Sequence, residues 1–148
     1  MCLITEQKRA KRIKEDMIVY KILTLDGSVL RSKYMWNFIY EIGKEYKTKI
    51  TKQPYNNHIL FDSYVSSHYF YEAINENYLY AVEKGFHSCL QKERAAFHKI
   101  KDDKVFKCIV PKGSLVFKDA TGLIVSNRII IQEDTGMFKC ETLPKYTG

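Results

Sequence analysis

Glu83-Lys84-Gly85-Phe86-His87-Ser88-Cys89 is the stretch on which the fold turns. A β-type run, Tyr78-Leu79-Tyr80-Ala81-Val82, leads into it, and a helix-type run over residues 91–100 leaves it. Gly85 is expected to supply a positive φ or a close backbone approach at a strand end. Phe86 then turns into the core, and Ser88 is placed to help start the helix. The stretch reads as a packed corner with a buried thiol. Two chemical alternatives stay open beside that reading. His87 and Cys89 would join His98 and Cys108 around zinc, although their spacing follows no zinc motif. Cys89, near a helix N-terminus, would pair with a histidine as a nucleophile of lowered pKa.

Working outward, the helix candidate carries Gln91-Lys92-Glu93-Arg94-Ala95-Ala96-Phe97, rich in good helix formers, with Ala96 and Ile100 on one face. Most of the remaining chain reads as strands. Met17-Ile18-Val19-Tyr20-Lys21-Ile22-Leu23-Thr24-Leu25 ends at Asp26-Gly27, a strand and a turn, with Val29-Leu30-Arg31 returning as a hairpin partner. The segment from Phe38 to Tyr46 reads as a short strand, a corner at Gly43 and a second strand. Val105 to Val110 is a strand, Pro111-Lys112-Gly113-Ser114 a turn and Leu115-Val116-Phe117 a further strand. Asp119 to Gly122 is a loop, Arg128 to Gln132 a buried strand and Met137 to Cys140 an edge strand. Residues 51–76 are broken by Pro54, Asn56-Asn57 and Asp62-Ser63, with a short helix expected over residues 66–74. The expected class is therefore α+β, a compact mixed or antiparallel β core with few helices. Residues 1–16 are expected to form a basic N-terminal arm and residues 17–148 a single domain.

Composition narrows the partners. The chain has 148 residues, enough for one domain with a proper core, and a net charge of +7. Such a balance fits an anionic ligand, either a nucleotide or nucleic acid, or an acidic protein face. The densest basic block is Lys8-Arg9-Ala10-Lys11-Arg12-Ile13-Lys14, which reads first as a solvated face. Tyr34-Met35-Trp36 and Tyr46-Lys47-Thr48-Lys49 interleave aromatic and basic residues in the manner of nucleic-acid binders. Cysteines stand at 2, 89, 108 and 140, with no C-x-x-C pair. The N-terminus has no signal-peptide h-region, and no apolar run approaches the ~18 residues of a membrane span. These features point to free thiols in a reducing, cytoplasmic setting and to no membrane association. Cys2 raises one further idea: removal of Met1 would expose an N-terminal cysteine nucleophile.

From residue 85 onward the order is Gly-Phe-x-Ser, a helix with Ala95-Ala96-Phe97, Val105-Phe106-Lys107-Cys108-Ile109-Val110-Pro111-Lys112-Gly113-Ser114, then Arg128-Ile129-Ile130-Ile131. This order resembles the second half of the ADP-ribosyltransferase-like fold. The resemblance implies that Tyr20 and Lys21 lie on the strand where that family meets NAD. Only Ser88 remains of the family's serine triplet. Ser126-Asn127-Arg128 stands at the position of its catalytic Glu, and an Arg there repels the oxocarbenium charge that the Glu stabilises. The resemblance therefore implies a pseudoenzyme. A second resemblance rests on the Met1-Cys2-Leu3 start, Tyr40-Glu41-Ile42-Gly43-Lys44, Gly85-Phe86-His87-Ser88-Cys89 and Ser126-Asn127-Arg128-Ile129. These segments are similar to a family of small uncharacterised phage and mobile-element proteins. That likeness implies a phage origin, and a host-takeover or anti-defence factor acting in the host bacterial cell.

Together these readings give a binding protein for a nucleotide or nucleic acid, or one that blocks a host protein. Its expected ligand-binding residues are Tyr20, Lys21, His87, Ser88 and Arg128 in one cleft, with Lys21 and Arg128 on an anion. No cofactor and no metal are expected. The rival reading is an active ADP-ribosyltransferase or a Cys-dependent enzyme.

Overall fold

The computed structural model describes residues 3–33, 35, 37–54 and 79–144. The β-branched run at residues 17–25 forms the long strand β3, Met17–Asp26, preceded by two short strands, β1 at Leu3–Thr5 and β2 at Lys11–Arg12. Asp26-Gly27 turns the chain into β4, Val29–Ser32, with Gly27 at φ +63°. The strands β5, Ile39–Tyr40, β6, Glu45–Lys47, and β7, Thr51–Pro54, follow. The chain is then described again through β8, Tyr80–Lys84, β9, Phe86–Cys89, and the helix α1, Lys92–Phe97. It closes with β10, Asp103–Val110, β11, Leu115–Lys118, β12, Leu123–Ser126, and β13, Arg128–Asp134.

The described residues form a β-rich fold of antiparallel sheets with one short helix. Ten strands make one sheet, in the order β2-β11-β12-β9-β3-β10-β13-β6, with β4 on β3 and β5 on β4. β3 and β10 pair continuously from Met17↔Val110 to Thr24↔Asp103. A smaller sheet, β1-β8-β7, lies beside it. Alternation along the strands sends Val19 and Leu23 to one face, where they pack with Phe86, Phe106, Cys108, Ile124, Ile129 and Ile131. On the other face Cys89 packs with Ala95, Ala96 and Val105 beneath α1. Leu3 and Val82 of the small sheet close on Phe117 and Val125 of the large one. The large sheet curls until its two ends meet at Asn127, the single residue joining β12 to β13. Asn127 exchanges hydrogen bonds with Leu115 of β11, and its carbonyl accepts from Thr48 just past β6. Among the described residues no helix is long and apolar enough to cross a membrane.

The corner expected at Gly85 is where the chain passes from the small sheet into the large one. Its φ is +146°, and a Cβ there would collide with the Val125 side chain. Ser88 does not start the helix: it lies inside β9, and Gln91 is the N-cap residue, whose side chain does not cap the helix. Residues 137–140 are not an edge strand. β6 takes the outer edge of β13 only from Arg128 to Ile130, and residues 135–140 return over α1 rather than adding a strand. There the Cys140 amide donates to the Ala96 carbonyl, and Lys139 Nζ donates to the carbonyls of Phe97 and Lys99. The strand β12 was not foreseen: Ser126 and Asn127 hide the switch that the chain makes there. The basic segment expected as an arm carries β1 and β2, paired to β8 and β11. The helix expected over residues 66–74, and Cys2, lie outside the described residues.

Two glycines separate steric from conformational strain. Gly27→Ala introduces only the positive φ, because nothing lies within 4 Å of its Cβ, and is expected to cost about 1 kcal/mol. Gly85→Ala adds a collision with a buried valine and is expected to cost about 3 kcal/mol or more. Urea denaturation of both variants checks this. Equal losses would mean that the Val125 side chain gives way.

Candidate functional site

The site begins as a fault in the pairing of β3. Its edge opposite β10 is shared by two strands: Tyr20 pairs with Cys89 of β9, while Leu23 to Asp26 pair with β4. Lys21 and Ile22 fall between these ladders. The wedge that opens there, with Ala95 of α1 on one wall, is a cavity of about 60 Å³. Tyr20, Lys21, His87 and Ser88 all line it, as do Ile22, Cys89, Leu123 and Ile124. Ser32, Lys33 and His98 complete it.

The polar atoms of this cavity are unequal. Lys33 Nζ is neutralised by the buried Asp103 carboxylate and also donates to the His98 carbonyl, 2.7 Å away. Asp103 further accepts from Thr24 Oγ1 and the Ile100 amide, tying α1's exit to β3. Among the described residues no carboxylate pairs with Lys21. Its Nζ donates to the His87 carbonyl at 2.7 Å and lies 5.9 Å from the Tyr40 ring centre. Burial lowers Lys21 to about 8, against the opposing pull of the Cys108 and Cys89 thiols. His87 is lowered to about 4, by burial first and by Lys21 second. His98 is lowered in the same direction, by burial and then by Arg94, Lys33 and Lys139. Ser88 is 4% exposed, and its Oγ is buried without a hydrogen-bond partner.

Arg128 does not join this group, so the five expected residues do not form one cleft. Arg128 opens β13, and β10 stands between β13 and β3. Its NH2 donates to Glu45 Oε1 at 2.6 Å and its NH1 to the Lys112 carbonyl at 3.2 Å, while Nε is buried without a partner. The guanidinium holds Glu45 below the usual carboxylate range. Arg128 belongs instead to an open hollow of about 550 Å³ at the seam of the curled sheet. Arg12, Lys47, Thr48, Lys49, Gly113 and Asn127 line it with Arg128. Arg12, Lys47 and Lys49 were not singled out as site residues, although the alternation of Lys47 and Lys49 about Thr48 already places them on one side of an extended segment. Lys33 left no such signal, since only the return of β4 brings it to the wedge, and His98, weighed in the sequence only as a zinc ligand, is brought there by the end of α1.

The reactive-thiol reading of Cys89 is overturned. Cys89 sits inside β9 under α1, and burial pushes its thiol up to about 11. Cys108, buried on the opposite face, is raised to about 12. Among the described residues no three His, Cys, Asp or Glu side chains gather as a metal-ligand set. No protein-family model matches the chain, and neither the curated proteins nor the solved structures contain a match.

Two measurements test these environments. Maleimide labelling at pH 8, read by peptide mass spectrometry, is expected to reach the half-exposed Cys140 well before Cys89 and Cys108, which react only on unfolding. Fast native labelling of Cys89 would contradict its burial. For His87, the folded pKa of about 4 lies below the ordinary 6.5, so the unfolded chain binds the extra proton between those values. Stability is then complete above pH 6.5 and falls as the pH drops towards 4, by about 2 kcal/mol after allowance for partial exposure. Urea melts of wild type and His87→Gln check this, and the variant is expected to flatten that limb of the profile.

Proposed function

We propose that this chain is a non-catalytic binding protein whose seam hollow holds the phosphate backbone of nucleic acid. One observation carries the reading. Arg12, Lys47, Lys49 and Arg128 come from separate parts of the chain to a single concavity, with Glu45 as the carboxylate paired there. Thr48 and Asn127 add neutral polar groups, and Arg128 Nε is an uncommitted donor. Among the described residues no aromatic ring lines the hollow: Tyr46 packs edge-on against Tyr40. Such a surface favours contact with phosphates rather than stacking on bases, and therefore little sequence preference. The resemblance to the ADP-ribosyltransferase-like fold enters the proposal only as a scaffold. In that resemblance the cation Arg128 corresponds to the family's Glu, and this supports reading binding rather than transfer. The likeness to phage and mobile-element proteins sets the proposed role as host takeover or defence evasion.

Fluorescence anisotropy with labelled duplex and single-stranded DNA tests the proposal. Binding is expected to weaken with salt at a slope of about −3 in log K against log salt. Lys47→Glu and Lys49→Glu, both at exposed positions, are expected to weaken it roughly tenfold each. Absence of binding at low salt, or binding indifferent to both variants, would overturn it and turn attention to an acidic protein face.

A further inference from the structure

The wedge beside β3 is too small for a nucleotide, and its chemistry is not that of the seam hollow. At about 60 Å³ it falls well short of the roughly 300–1,000 Å³ of ordinary ligand pockets, yet it exceeds the space of a single water. Its walls are mostly apolar: Ile22, Ala95, Leu123 and Ile124. Among its lining residues are Lys21, whose ammonium pairs with no carboxylate among the described residues, and Ser88, which is 4% exposed and whose buried hydroxyl has no hydrogen-bond partner there. Among the described residues no Asp or Glu lines the cavity, and the second cation, Lys33, is already paired with Asp103. Lys21 commits one N–H to the His87 carbonyl and retains two. A buried hydroxyl without a partner costs about 1–3 kcal/mol, a cost that a ligand oxygen would remove.

We propose that this cavity is a binding site for a small monocarboxylate, with the carboxylate accepting hydrogen bonds from Lys21 Nζ and Ser88 Oγ and a short alkyl tail against Ile22, Leu123 and Ile124. The volume limits the ligand to a few heavy atoms. A carboxylate is favoured over a neutral acceptor because it alone supplies the counter-charge that Lys21 lacks. The site stands independently of the seam hollow, and shares no residue with it.

Binding an anion beside Lys21 keeps the amine protonated, so affinity depends on the state of that one group. The titratable groups around it are the Cys89 thiol and His87 from β9, the Cys108 thiol from β10 and the Tyr40 phenol from β5. Lys33 just past β4 and His98 beyond α1 also line the cavity. His87 and His98 are lowered, while both thiols and the phenol are raised. Lys21 is therefore the group expected to change charge between neutral and mildly alkaline pH.

The test is a two-dimensional NMR titration of the full chain with propionate, with propionamide as the neutral isostere, at constant ionic strength. Saturable shifts are expected at the amides of residues 20–22 and 87–89 with propionate and not with propionamide. Ser88→Ala is expected to weaken binding about tenfold, since it removes a hydrogen bond to a charged group. Lys21→Met is expected to abolish it while leaving the fold intact, and Lys49→Glu to leave it unchanged. In wild type, affinity is expected to fall about tenfold or more between pH 7 and pH 9.5, a readout that stands even if Lys21→Met fails to fold. Absence of saturable shifts, equal binding of propionamide, or a pH-independent affinity would each overturn the proposal.

Discussion

β3 has one full partner and two partial ones, and the rest of the molecule follows from that arrangement. β10 pairs with it from end to end. On its other edge β9 reaches only Tyr20, and β4 begins at Leu23. Two strands that diverge from a common neighbour leave backbone groups without a ladder, and buried groups of that kind must find other partners. Lys21 answers part of this need, because its Nζ donates to the His87 carbonyl at the point where the β9 ladder has ended. A lysine serves here where a leucine would not: the alkyl stem crosses the apolar wedge and the ammonium ends on a carbonyl. The same residue that repairs the fault thus leaves spare donors in a small cavity.

A second joint, at Asn127, produces the other surface. β12 and β13 are sequence neighbours, yet they lie far apart in strand order, and only a curled sheet lets one residue connect them. The asparagine side chain and backbone bind both ends of the curl, so the seam is fixed by hydrogen bonds rather than by a continuous ladder. Exposed sheet edges are commonly blunted with charge to prevent pairing with other chains. That role accounts for some of the lysine and arginine at β2 and β6. It does not require four cations of one sign around a single hollow, whose mutual repulsion one glutamate offsets only in part.

Much of the strand content was legible because β-branched runs are bounded by glycine turns. Residues 17–26, 105–110 and 128–132 read directly as strands, and Gly43, Gly85 and Gly113 mark real corners with positive φ. The misses have a common origin in the third dimension. The segment after Gly136 has strand-like residues, but its backbone bonds go to α1, where the Cys140 amide donates to the Ala96 carbonyl. β12 ends at Ser126 and Asn127 follows it, polar residues that look like a loop until their part-buried bonds to Arg128 and Leu115 are seen. The candidate site was half legible for the same reason. Tyr20 and Lys21 share a strand, and His87 and Ser88 share the next one in the sheet, so adjacency of two strands brings all four together. Arg128 was assigned to them by resemblance, and strand order alone sends it elsewhere.

The two cations once expected to cooperate now illustrate different ways of holding charge. Arg128 is half-exposed and ion-paired, and a guanidinium keeps its proton at any ordinary pH. It can present a permanent positive potential at the seam, suited to a ligand that is itself always charged. Lys21 lies against apolar walls with two thiols and a phenol for neighbours, all of which burial keeps protonated and neutral near pH 7. An arginine in that wedge would bury a charge that it cannot shed, at a cost of several kcal/mol per ion. A lysine can approach neutrality when the cavity is empty and regain its proton when an anion arrives. The choice of residue type at each position therefore matches the solvent it meets: permanent charge where water and counter-ions can reach it, and adjustable charge where they cannot.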